Sequence, residues 1–179
     1  LIFKAPLFSG APPSKYATTK IVFDYFSRLI NLEDIDWIAC AGTMSDTGDT
    51  YWVDFFRAVM AKYGFKDSDP WKTPLERIIG YISQAESYKK GYYKKALKML
   101  IESEGYESFL RSDLKEYYEK VNGEIKAYLD GVQKKAEFKD DLIIYEVKPK
   151  YDIKSILSTI ISRRLYSDKT IILILDERK

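Results

Sequence analysis

Between residues 114 and 132 the apolar side chains Leu114, Tyr118, Val121, Ile125, Tyr128 and Val132 step by 4, 3, 4, 3 and 4. Only an α-helix gathers such a spacing onto one seam, so a long helix is predicted over 107–136. Gly123 and Gly131 weaken it by about 1 kcal/mol each relative to alanine. The seam can be buried within the chain or against a second copy.

The period then changes. LIIYEV (142–147) and TIILIL (170–175) are short β-rich runs. Between them Ile153, Ile156, Leu157, Ile160, Ile161 and Leu165 carry a helical spacing, with Asp152 placed to cap it. Strand, helix, strand implies a right-handed crossover and two parallel strands. Two strands are too few to stand alone, so further sheet is expected.

Upstream, helical periodicity dominates. Pro6, Gly10, Pro12 and Pro13 make 1–14 an irregular lead-in. A helix from about Ser14 should bury Ile21/Val22, Tyr25/Phe26 and Leu29/Ile30 as one stripe. Asn31 can cap a second helix carrying Ile35, Trp37, Ile38, Ala39 and Ala41. A third is expected over about 50–63, stopped by Gly64. The fourth opens on Thr73-Pro74-Leu75-Glu76, an N-cap, a first-turn proline and a capping-box acid. A fifth covers 92–101, and Gly105 separates it from the long helix. The expected class is therefore α/β, predominantly helical: a helical lobe, a long connecting helix, and a small strand–helix–strand unit with parallel strands.

The chain has no histidine, which removes Ser-His-Asp triads, His-ligated zinc and His acid–base chemistry. Catalysis would have to rest on carboxylates, Lys, Tyr, Ser, Thr or the single Cys40. One cysteine allows no internal disulfide and suits a reducing, cytoplasmic compartment. No apolar run approaches the ~18 residues of a membrane span, so no membrane partner is expected. No signal peptide is visible, and a leucine at position 1 suggests a trimmed start or a piece of a longer protein. With 29 basic and 27 acidic side chains, the net charge of +2 neither marks a nucleic-acid binder nor excludes one.

The chemically suggestive stretch is DWIACAGTMSDTGD, residues 36–49, where an apolar run ends in small hydroxyls, a glycine and two acids. Asp46 or Asp49 can cap the following helix. Alternatively Asp46 is a carboxylate ligand for Mg²⁺ or Mn²⁺, hard cations that prefer oxygen. Asp24, Asp34 and Asp36 could assist only if the fold brought them close.

The run ATTKIVFDYFSRL followed by DWIACAGTMSDTG resembles the DHH phosphoesterase family, especially its RecJ-like branch. In that family an apolar helix ends in a Gly-Thr/Ile-x-x-Asp motif whose aspartate binds the catalytic manganese, and Asp46 falls at the matching position. The resemblance implies three parts: the end of a DHH-like helical lobe (1–106), a connecting helix (107–136), and the start of the DHH-associated α/β domain (137–179). It implies metal-dependent exonuclease action on single-stranded DNA or RNA with Mn²⁺ or Mg²⁺. The family's Asp-His-His triplet and the glycine- and arginine-bearing substrate motif are absent. These residues alone are therefore expected to be inactive: the middle of a longer nuclease, or a degenerate relative. A second implied role is an inactive RecJ-like scaffold at the replication fork, bound to GINS and the helicase. Should the resemblance be accidental, a purely helical adaptor is the third reading.

The remaining candidates are basic. Lys89, Lys90, Lys94, Lys95 and Lys98 lie among Tyr88, Tyr92 and Tyr93, a pattern that can track phosphates and stack bases. Glu102, Glu104 and Glu107 follow at once, which favours a solvated helix face with half-buried tyrosines. Arg163 and Arg164 can complement a helix C-terminus or contact phosphate.

Overall fold

The computed structural model describes residues 16–176; the lead-in 1–14 and the expected start of the first helix lie outside them. Eight α-helices are present among the described residues: α1 (Thr18–Phe26), α2 (Asp36–Ser45), α3 (Val53–Lys62), α4 (Pro74–Tyr88), α5 (Tyr93–Glu102), α6 (Tyr106–Leu110), α7 (Leu114–Lys135) and α8 (Lys154–Ile160). Three strands, β1 (Glu137–Lys139), β2 (Leu142–Val147) and β3 (Thr170–Leu175), form one sheet in the order β1-β2-β3. No described helix is long and apolar enough to cross a membrane.

The chain divides into two compact units. The first comprises residues 16–81 with Met99–Ser112 and the second Ile82–Lys98 with the described residues from Asp113 onward.

In the first unit α2 is the buried element. Trp37, Cys40 and Met44 are at most 1% exposed, with Ala39 and Ala41 nearly so. Burial on several faces explains why its sequence is apolar almost throughout rather than striped. Trp37 meets Phe109 of α6 at 6.1 Å between ring centroids. Its first residue, Asp36, is buried and accepts hydrogen bonds from Lys62 Nζ (2.9 Å) and Tyr63 Oη (2.7 Å), fastening α2 to the end of α3. Thr19 of α1 lies against Gly42, where an added Cβ would stand 2.7 Å from the threonine side chain.

That close approach corrects the expected α1 stripe. Val22 and Phe26 are about two-fifths exposed and Leu29 and Ile30 more so. The helix ends at Phe26, and α2 closes on this face at the small Thr19, beside Gly42, without covering the larger Val22 and Phe26. Val22, Phe26 and Ile30 instead line an open apolar groove with Leu32, Ile35 and Ile38. The buried residue of α1 is Lys20, paired with Asp24 at 2.5 Å and held over Trp52 and Phe55. Asn31 does not cap α2; its Oδ1 accepts from the Glu33 amide at the 3₁₀ turn Glu33–Ile35. Thr73 does begin α4, its Oγ1 accepting from the Leu75 amide at 3.3 Å.

The expected 107–136 helix is two helices. The break falls at 111–113, where the Arg111 amide is shared between the Glu107 and Ser108 carbonyls and the Ser112 amide turns to Phe109. α7 keeps the seam: Leu114, Val121, Ile125 and Val132 are buried. Val121, Ile125 and Val132 pack with Tyr145, Val147, Ile153, Leu157 and Ile161, so the seam is internal to the second unit. Here β2 pairs parallel with β3 in the register Leu142↔Thr170 to Val147↔Leu175. The short strand β1, not foreseen, pairs antiparallel with β2 through a turn carrying Asp140 at φ 45°. Asp152 does not cap α8; its amide donates to the Ser87 carbonyl, and Ile153 precedes the helix. α8 continues as a π-helical turn, Ile161–Leu165. The parallel pair rules out a purely helical architecture.

Candidate functional site

Asp46 closes α2. The Thr47 amide donates to the Met44 carbonyl (3.0 Å) and the Gly48 amide to the Thr43 carbonyl (2.9 Å). This pair of bonds is the Schellman arrangement, which satisfies the last carbonyls of a helix by placing one residue in the left-handed region. That residue is Thr47, at φ 60°. A β-branched residue in this region is strained by about 1–2 kcal/mol. Gly48 seals the turn: a Cβ there would lie 2.7 Å from Thr43 Cγ2 and 2.9 Å from its carbonyl oxygen. Thr43 and Ser45 spend their hydroxyls on carbonyls one turn back, Ala39 (2.7 Å) and Gly42 (2.8 Å).

The Asp46 side chain is exposed, and among the described residues no main-chain amide donates to it. Neither acid caps the next helix: Trp52 precedes α3 and no side chain bonds its first amides. Asp49 instead accepts from Trp71 Nε1 at 3.1 Å and lines the cleft with Val53, Phe56 and Met60 of α3. Asp46 therefore stands at the carbonyl end of a buried helix. A negative charge is unfavourable there by about 0.3–1 kcal/mol unless a cation answers it.

Two of the other three acids, Asp24 and Asp36, are engaged elsewhere. Asp24 accepts from Tyr16 Oη and pairs with Lys20, while Asp36 holds Lys62 and Tyr63. No group of three potential metal-ligating side chains occurs among the described residues. An oxygen-seeking divalent cation takes six or more ligands. Asp46 is a single exposed carboxylate, and the described residues do not supply such a set. Cys40 is no nucleophile at neutral pH, since burial, with Asp36 nearby, pushes its thiol up to about 12.

The basic candidates fall in the second unit. Lys89 and Lys90 lie exposed in the turn after α4, where Gly91 takes φ 88°. Lys94 is exposed on α5, and Lys95 donates to Tyr117 Oη at 2.9 Å and pairs with Asp113 at 3.6 Å. The hydrogen bond to Tyr117 chiefly raises the Lys95 pKa and so holds it charged. Arg163 and Arg164 are exposed on the π-helical turn. The lysines near 89–95 are joined by Tyr117 and Lys120 of α7 and by Lys150 and Tyr151 of the loop after β2. Linear spacing could not reveal these partners, which stand about 25–60 residues away along the chain.

Comparison of the chain with protein-family models, with curated proteins and with solved structures found no match.

Proposed function

We propose that this chain is the middle portion of a RecJ-like DHH phosphoesterase, a metal-dependent exonuclease on single-stranded nucleic acid, inactive as these 179 residues alone. Asp46 would supply one carboxylate to a Mn²⁺ or Mg²⁺ ion whose other ligands come from sequence outside this chain. Such an ion, when bound, activates water and neutralises charge on the phosphodiester. The residues of this chain do the holding. The Schellman turn fixes the Asp46 main chain, Gly48 and Thr43 close the turn, and buried α2 anchors it.

The observation that carries the reading is an acid placed at the electrostatically wrong end of a buried helix, after a motif whose family counterpart binds manganese. Helix capping does not account for it, since no amide bonds to Asp46 among the described residues.

The test uses the protein encoded by the complete reading frame. Asp46→Ala should abolish Mn²⁺-dependent hydrolysis of a single-stranded oligonucleotide while circular dichroism and melting temperature stay those of a folded protein. Unchanged hydrolysis in that variant removes Asp46 from the chemistry. A complete protein that captures GINS but hydrolyses nothing would move the reading to the fork scaffold.

A further inference from the structure

The three-stranded sheet of the second unit has two edges of unlike build. At one edge β1 is three residues long, and its charged Glu137 and Lys139 pair with each other at 2.9 Å. Short length and charge are the usual protection of a sheet edge against a further strand. At the other edge β3 runs for six residues as TIILIL, with no charge, proline or bulge along its register with β2. Its exposed side chains include Ile172 and Ile174, 45% and 47% accessible.

This edge also leaves main-chain groups open. The Thr170 amide donates to the Asp141 carbonyl at 2.7 Å and the Asp176 amide to the Val147 carbonyl at 3.0 Å. In a parallel ladder alternate residues turn their main chain to the neighbour, so Thr170, Ile172, Ile174 and Asp176 face β2. Ile171, Leu173 and Leu175 therefore present N–H and C=O groups to the open edge, and no described strand takes them. Such a row is a template for another strand.

The flanking charges select that strand. Counted outward from Leu173, Lys169 is answered by Glu177 and Asp168 by Arg178. The sequence is thus antisymmetric in charge about Leu173, and antiparallel pairing with its own copy sets opposite signs together. Centring on Ile172 would instead oppose Asp168 to Asp176, like charges that destabilise a pair. We propose that β3 pairs antiparallel with β3 of a second copy of this chain, about a two-fold axis at Leu173. The axis stands perpendicular to the sheet. Ile171, Leu173 and Leu175, which pack on the core, stay on the helix-covered side in both copies. On the other face Ile172 meets the partner's Ile174. The pairing uses the open edge of both copies, so association stops at a dimer. A strand pair of this length buries less than the ~1,200 Å² of a standard interface, which places the dissociation constant in the micromolar range. The dimer depends on neither Asp46 nor the nuclease reading.

The experiment is sedimentation velocity of the 179-residue chain over a concentration series through the micromolar range, where monomer should give way to dimer. Ile172→Lys/Ile174→Lys changes exposed side chains only and sets lysine against lysine twice across the axis. It should weaken dimerisation by about tenfold or more, with circular dichroism unchanged. Mixed with Ile172→Glu/Ile174→Glu, it should recover a heterodimer. Leu173→Cys should give a disulfide-linked dimer under mild oxidation, since opposed residues of a hydrogen-bonded antiparallel pair stand about 5.5 Å apart between Cα atoms, within disulfide reach. The native Cys40 is buried and leaves that signal to the introduced thiol. A chain monomeric throughout, an undiminished lysine variant, a mixture that does not associate, cross-linking by Ile172→Cys but not by Leu173→Cys, or growth beyond the dimer would each overturn the inference.

Discussion

α2 and α3 end in the same way and are built from different residues. At the end of α3 the Gly64 amide donates to Ala61 and the Phe65 amide to Met60, with Gly64 at φ 67°. At the end of α2 the same two bonds are made around Thr47 at φ 60°, preceded by an acid. Glycine occupies the left-handed position without strain, whereas threonine does not. An uncharged residue before it would suit the negative end of the helix, whereas aspartate does not. The α3 terminus is what stability alone selects. The α2 terminus departs from it twice at adjacent positions, and stability–function trade-offs concentrate such departures at sites of use.

The helices also differ in what they bury, which sets the largest expected effect. α3 buries Phe56, Val59 and Met60, none of which titrates, whereas α2 buries the Cys40 thiol completely. That thiol is raised from 9.0 to about 12, so the folded state favours its protonated form. Its contribution is complete below the unfolded value near 9 and is lost as pH rises towards 12. At about 1.4 kcal/mol per pH unit this is at most about 4 kcal/mol. Urea unfolding at stepped pH should show Cys40→Ala losing less stability than the wild type across that window. Buried Tyr16 and half-buried Tyr63, also pushed upward, leave a residual slope in both. Parallel slopes would break the contrast.

A reciprocal pair of substitutions tests the termini themselves. Thr47→Gly should stabilise the chain by about 1 kcal/mol by relieving the left-handed threonine. Gly64→Ala should destabilise it by a similar amount, about 1 kcal/mol. Space is open around a Cβ at Gly64, so the second effect is backbone strain alone. Effects of the same sign in denaturant midpoints would show that the two ends are not equivalent.

Much of this architecture was legible in the sequence. LIIYEV and TIILIL became β2 and β3 residue for residue, because an apolar run bounded by turn residues has few alternatives. Thr73-Pro74 marked α4 because capping is local chemistry. The α1 stripe misled because periodicity shows that a helix has an apolar face without showing what covers it; α2 closes on that face at Thr19 and leaves Val22 and Phe26 about two-fifths exposed. The 107–136 helix hid its break because the apolar steps run on past Ser112 and Asp113. At the site, GTMSD singled out Asp46, yet the left-handed Thr47 carries no reliable sequence signal. The meeting of Tyr88 and Tyr92 with Tyr117 and Tyr151 depends on segments far apart in the chain coming together in space.

If the end of α2 gives up stability to hold a carboxylate, Asp46→Asn in the protein from the complete reading frame will show it in two readings, urea unfolding without metal and Mn²⁺-dependent hydrolysis. The variant should be more stable by about 0.5 kcal/mol, with the helix-end repulsion gone, and inactive. A variant that is less stable, or that hydrolyses the oligonucleotide as well as the wild type, would contradict it.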